Sequence, residues 1–253
     1  MGKVLTINKK IQFDSNIDTI EKTKTTITID NEINEVETIV FPQGEKLLNY
    51  SKFNIEFYKK CNIIGKVHNR DFNSFLRKYI IPVYVKDESD YVFSIGNNKG
   101  VISKGAFKRL RRTTKIKCEP VEINLEKTVA CITQNIPDTK VVSGWFTNLG
   151  EQLQNALLQG QDVNENADWK KFLKQVGSKL SNIEFKLMSD EYSRGFIIFS
   201  LSSRGFVHIK TTISDEKMLS LALRVVELLD KNDLIKSGND DDVEEEENIF
   251  IDN

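Results

Sequence analysis

The sequence predicts an α+β protein, with mixed and antiparallel sheets, amphipathic helices, a C-terminal helix–helix–β-meander–helix unit and a disordered acidic tail. Three observations predict it. β-Branched residues alternate with polar ones through residues 3–41. Apolar residues recur at helical spacing near 69–80, 103–112 and 214–229. Strands and helices come in groups, not in strict βαβ alternation.

Composition bounds the function. The chain has 253 residues, of which 39% are hydrophobic and 29% charged, which excludes wholesale disorder, collagen-like chains and coiled coils. No apolar run approaches the roughly 20 residues of a bilayer-spanning helix, and the first ten residues lack a signal-peptide apolar core. The three cysteines, Cys61, Cys118 and Cys131, are odd in number and form no C-x-x-C, which argues against a disulfide framework and a zinc site. With two histidines, a multi-histidine metal site is excluded. The expectation is a cytoplasmic protein that does not engage a membrane and holds neither metal nor cofactor.

In order along the chain, Val4, Ile7, Ile11 and Phe13, then Ile27 and Ile29, then Val36–Phe41 read as strands, the last stopped by Pro42. Residues 45–61 read as helical. Phe72, Phe75, Leu76 and Tyr79 share one face of a predicted helix over 69–80, with Asn69 as its N-cap. Ile80–Val85 reads as an edge strand because Pro82 lacks a donor. Tyr91–Ile95 is a strand, and Gly96–Gly100 has hairpin-turn chemistry. Ser103 caps a helix to Arg112 with Ala106, Phe107 and Leu110 inward. Strands are expected at 114–118, 120–125 and 127–133. Leu149, Leu153, Ala156 and Leu157 predict one helix; Trp169, Phe172, Leu173, Val176 and Leu180 predict another. Runs at 183–188, 195–201 and 205–213 form a meander. Ser214 then caps a helix of roughly 16 residues. The resulting division is an N-terminal α+β region over 1–140, a C-terminal one over 141–235, and a disordered tail over 236–253.

Charge is unevenly distributed. The tail from Lys236 holds eight acids and one base, so residues 1–235 carry 35 bases against 29 acids. Residues 99–117 hold eight bases (Lys99, Lys104, Lys108, Arg109, Arg111, Arg112, Lys115 and Lys117) and no acid. A single-sign block of this kind attracts a polyanion, gains from counterion release and lets arginine grip phosphate bidentately. Residues 14–37 are biased the other way, with seven acids and only Lys22 and Lys24.

Other motifs suggest alternatives. The acidic tail with Ile249, Phe250 and Ile251 resembles the tails of single-stranded DNA-binding proteins, which implies a protein partner recruited through 240–253. His208-Ile209-Lys210 with Asp215 is similar to the H-x-K-x4-D motif of the phospholipase D superfamily, implying a histidine nucleophile and a phosphate-holding lysine. No second copy is present, since His68 is followed by Asn69-Arg70-Asp71. Glu184-Phe185-Lys186, with Asp168 upstream, resembles the E-x-K half of restriction-type nuclease cores, implying Mg²⁺-assisted phosphodiester cleavage. Trp145 and Phe146 read as core.

The sequence therefore points first to a non-catalytic accessory or regulatory protein that binds DNA or RNA through residues 99–117, in the style of a virus or mobile element. The alternatives are a protein–protein or inhibitor module using the same basic block, and a phosphodiesterase or nuclease using His208 and Lys210 or Glu184 and Lys186.

Overall fold

The computed structural model describes residues 2–29, 32–96, 100–111 and 115–239. Its elements correct the α+β expectation. The described residues are 50% strand and 22% helix, and thirteen strands join one mostly antiparallel sheet. Sheet dominates because several apolar runs that read as helices pair as strands.

The chain divides into two compact units. One comprises residues 8–119 and the other the N-terminal residues to Ile7 with 120–239.

In the unit of residues 8–119, strand order runs β1 (Lys3–Phe13), β8 (Tyr91–Gly96), β7 (Phe75–Val85), β4 (Tyr50–Cys61), β3 (Glu32–Leu47) and β2 (Glu21–Ile29). A small hairpin of β5 (Gly65–Val67) and β6 (Arg70–Phe72) joins β4 to β7. The helix α1 (Gly100–Leu110) lies on β2, β3 and β4. Phe13, Val40, Phe53, Ile55, Phe57, Val83 and Val92 of the strands bury against Ile102, Ala106, Phe107 and Leu110 of α1.

Four expectations fail here. Residues 45–61 are not a helix. Leu48 and Asn49 adopt positive φ (49° and 65°) and turn β3 into β4, as a two-residue hairpin loop requires. Phe53, Ile55 and Phe57 then bury at period 2. Residues 69–80 are not a helix either. Asn69 is a turn residue and not a cap, since His68 and Asn69 take φ of 46° and 62°. Phe75 and Tyr79 lie on one face of β7 and Leu76 on the other. Nor is 80–85 an edge strand, because β7 stands between β4 and β8. β3 also continues past Pro42, through an irregularity between Pro42 and Lys46.

The other unit has strand order β11 (Asn155–Gln159), β10 (Thr139–Thr147), β12 (Lys179–Met188), β13 (Phe196–Ser202), β14 (Phe206–Ile209) and β1. Helices cover one face. α2 (Leu125–Asn135) packs on β10, β12 and α4 (Asp215–Lys231). α3 (Ala167–Lys174) contributes Trp169 and Phe172, whose rings meet Phe146 at 5.0 and 5.4 Å between centroids. Ile183, Phe185, Phe199, Leu201, Val207 and Ile209 face these helices and are fully buried.

The 183–188, 195–201 and 205–213 meander appears as β12, β13 and β14. Ser214 caps α4, its hydroxyl accepting from the Lys217 amide at 3.2 Å. Residues 127–133 are helix and not strand. Asn124 caps α2, and Leu125, Thr128, Val129 and Ile132 bury at helical spacing. The helix expected over Leu149–Leu157 is instead a loop and β11. The next helix stops at Lys174, leaving Val176 exposed and Leu180 in β12. Trp145 is 38% exposed although Phe146 is core. Ile235–Ser237 forms β15, paired with Val121–Ile123 of β9 (Ile116–Ile123), so Lys236 and Ser237 are not tail. The acidic run 240–253 lies outside the described residues. No described helix is long and apolar enough to cross a membrane.

Candidate nucleic-acid interface

The basic block predicted over 99–117 is largely drawn into the protein's own packing. β8 ends at Gly96 and α1 begins at Gly100; the turn expected over Gly96–Gly100 falls on residues 97–99, which lie outside the described residues. Lys104, expected to face outward, is buried. The Arg109 guanidinium lies 4.3 Å from the Phe57 ring centroid and donates to the Tyr58 carbonyl at 2.6 Å. Arg111 donates through Nε to the Cys118 carbonyl at 2.7 Å.

Lys115 pairs with Glu21 at 2.8 Å, and this carboxylate, helped by Asp18, raises the lysine's affinity for its proton. The acidic segment 14–37 thus answers part of the basic segment 99–117. Lys108, Lys115 and Lys117 remain exposed. Arg112 lies outside the described residues.

A second basic block was not singled out in the sequence. Residues 59–78 hold six bases (Lys59, Lys60, Lys66, Arg70, Arg77 and Lys78), His68, and one acid, Asp71. The fold makes this segment a two-stranded ribbon. β3 pairs with β4 only as far as Ile39–Glu56. Beyond Glu56, β4 runs with β7 through Phe57–Tyr79, Tyr58–Lys78, Lys59–Arg77, Lys60–Leu76 and Cys61–Phe75. The β5/β6 hairpin ends it in the His68-Asn69 turn. Phe72 closes over Gly65, where a Cβ would overlap its ring.

Strand alternation sorts the ribbon into two faces. One carries Phe57, Lys59 and Cys61 opposite Tyr79, Arg77 and Phe75. It is the face against which α1 packs, since Phe57 is core and Gly105 of α1 sits over its ring. Arg109, Lys59 and Arg77 therefore follow one another along it, interleaved with Tyr79 and Phe75. Arg77 lies 5.1 Å from the Tyr79 ring centroid. Lys59 and Arg77 are direct cross-strand partners of the same sign. The other face is more balanced. Glu56 accepts from Tyr58 at 3.1 Å and pairs with Lys78 at 2.7 Å, and Lys60 donates to the Thr28 carbonyl at 3.0 Å.

The alternative candidates fall on the helix-free face of the other unit. The register aligns Glu184, Ser200 and His208 across three strands. Lys210 pairs with Glu184 at 2.9 Å, and Lys186 lies 4.3 Å over the Phe196 ring. The two motifs thus share one surface, with Ser200 between them. Burial, reinforced by Lys210, holds the His208 imidazole below its ordinary pKa, while Glu184 opposes the shift.

Their acids lie elsewhere. Asp215 opens α4 and pairs with Lys3 at 2.5 Å. Asp168 stands in the first turn of α3, on the helix-covered side. His68 sits at the ribbon's turn, in the other unit. Among the described residues, no three His, Cys, Asp or Glu side chains gather as metal ligands. Compared with known proteins, the chain matches no family model and no curated protein.

Proposed function

We propose that this protein binds nucleic acid through its phosphates, without catalysis, on the β4/β7 ribbon and the adjoining α1 surface. The carrying observation is the β4/β7 register, which sets Lys59 and Arg77 directly opposite each other on a ribbon whose Arg77 and Lys66 are exposed. Cations gathered on one face in this way gain from neutralising phosphates and releasing counterions. Tyr79 and Phe75, interleaved with the cations, suit a surface that also meets sugars and bases. Lys66 toward the turn and Lys108 on α1 extend the exposed positive charge.

The test is fluorescence anisotropy with labelled single- and double-stranded DNA and RNA at several salt concentrations. The proteins are the full chain, a Lys59→Ala/Arg77→Ala variant and a Lys108→Ala/Lys117→Ala variant. Binding should weaken with salt at a slope of about −0.9 per phosphate neutralised on duplex DNA. The ribbon variant should lose more affinity than the helix variant. Equal binding by wild type and ribbon variant would overturn the assignment, and no binding at low salt would discard the function.

A further inference from the structure

We propose that Ile63 and Ile64 form an apolar wedge that the ribbon inserts between base pairs of B-form duplex DNA, kinking it. This rests on the nucleic-acid reading above and adds the form of the nucleic acid and the mode of engagement.

The ribbon is interrupted where these residues stand. The β4/β7 ladder ends at Cys61–Phe75 and pairing resumes at Gly65–Phe72, so three residues on one strand face two on the other. Such a mismatch bends a ribbon and re-aims its side chains. The other apolar groups at the break find partners. Phe72 packs on Gly65, and its ring meets Phe75 edge-on at 6.3 Å. Ile63 and Ile64 do not share that packing, and are 54% and 85% exposed.

Charge names the occupant. The exposed Lys60 precedes the isoleucines, the exposed Lys66 follows, and the exposed Arg77 lies across the ribbon, while Lys78 is held by Glu56. An apolar pair bracketed by cations complements a polyanion with an apolar interior, which is a stacked duplex. Isoleucine has no π face on which to stack a splayed base, so the pair is poorly suited as a single-strand platform. Branched aliphatic side chains instead serve as wedges that partly unstack a base step. B-form grooves admit a two-stranded ribbon, whereas the deep major groove of A-form RNA excludes side chains.

The experiment uses the full chain, the Ile63→Ser/Ile64→Ser variant and the Lys59→Ala/Arg77→Ala variant. A short DNA duplex carries a fluorophore at each end and a flexible TA step at its centre. Energy transfer reads bending, anisotropy reads binding, and a second duplex carries a central mismatch. The wild type should raise energy transfer and should bind the mismatched duplex at least about threefold tighter, because part of the unstacking is already done. The isoleucine variant should keep salt-sensitive binding but lose both the bend and the mismatch preference. Binding with no bend, or a bend that survives in the isoleucine variant, overturns the wedge and leaves the basic ribbon standing. Absence of salt-sensitive binding to any nucleic acid overturns the wedge together with the function on which it rests. Capture of the wild type by anionic phospholipid vesicles, lost in the isoleucine variant while DNA stays unbent, likewise overturns the wedge and assigns the isoleucines to a membrane surface.

Discussion

Replacing Arg77 by glutamate separates what the ribbon does for folding from what it does for binding. Arg77 stands directly across from Lys59. Like charges so placed cost roughly 0.2–1 kcal/mol, and an opposite pair returns a similar amount. The variant also gives up the Arg77 contact with the Tyr79 ring at 5.1 Å, worth about 0.5–1 kcal/mol at an exposed site. The balance runs from a loss of about 0.6 to a gain of about 1.5 kcal/mol, at the lower end in high salt where exposed charges are screened. Binding should move the other way. One phosphate contact is lost and a carboxylate is added, so the slope of log affinity against log salt should shrink by about 1. Urea unfolding followed by circular dichroism reads the first quantity and salt-dependent anisotropy the second. Destabilisation beyond about 1 kcal/mol would refute the like-charge reading. An unchanged salt slope would refute the role of Arg77 in binding.

Three further outcomes test the packing and the titrating groups. Gly144→Ala should destabilise by about 1–3 kcal/mol in a thermal or urea melt, because its Cβ would overlap the Trp169 ring. Burial pushes the Cys118 thiol up to about 12 from its ordinary 9.0. The folded state therefore holds this proton more tightly than the unfolded state, and stability is full below pH 9.0 and lost as pH rises toward 12. Cys118→Ala should remove about 1.4 kcal/mol per pH unit from the alkaline slope of unfolding, and an unchanged slope would sink the assignment. His208 should titrate by NMR below its ordinary 6.5, and lower still in Glu184→Gln, since Glu184 raises it. With its folded pKa depressed, His208 costs stability as pH falls through 6.5, when the unfolded imidazole takes up a proton that the folded one resists.

Some of this was legible in the residues. Ser214 followed by Asp215 and Glu216, ahead of apolar residues at helical spacing, marked α4. Ala106, Phe107 and Leu110 marked the buried face of α1. Period-2 alternation marked the first strands. The ribbon was misread because Phe72, Phe75, Leu76 and Tyr79 fit a helical face by number alone. Their true periodicity is broken by a turn at His68-Asn69 and by a change of strand between Phe72 and Phe75. The basic block at 59–78 does not stand out along the chain because apolar residues and Asp71 interrupt it. The block at 99–117 contains no acid and so is the more conspicuous run.

Composition and residue order set the bulk chemistry: how many cations there are, where single-sign runs lie, which apolar stretch carries a helix cap, and that no apolar run reaches the roughly 20 residues of a bilayer-spanning helix. Tertiary pairing sets which groups those cations meet. Arg109, Arg111 and Lys115 are engaged by a carbonyl and an aromatic ring, by a second carbonyl, and by a carboxylate from segments up to about a hundred residues away along the chain. Lys59 and Arg77, 18 positions apart in the sequence, are made direct neighbours by a register. Charge is a local property of the sequence, whereas neutralisation and alignment depend on pairing between strands. A one-residue slip in that pairing would turn each side chain to the opposite face.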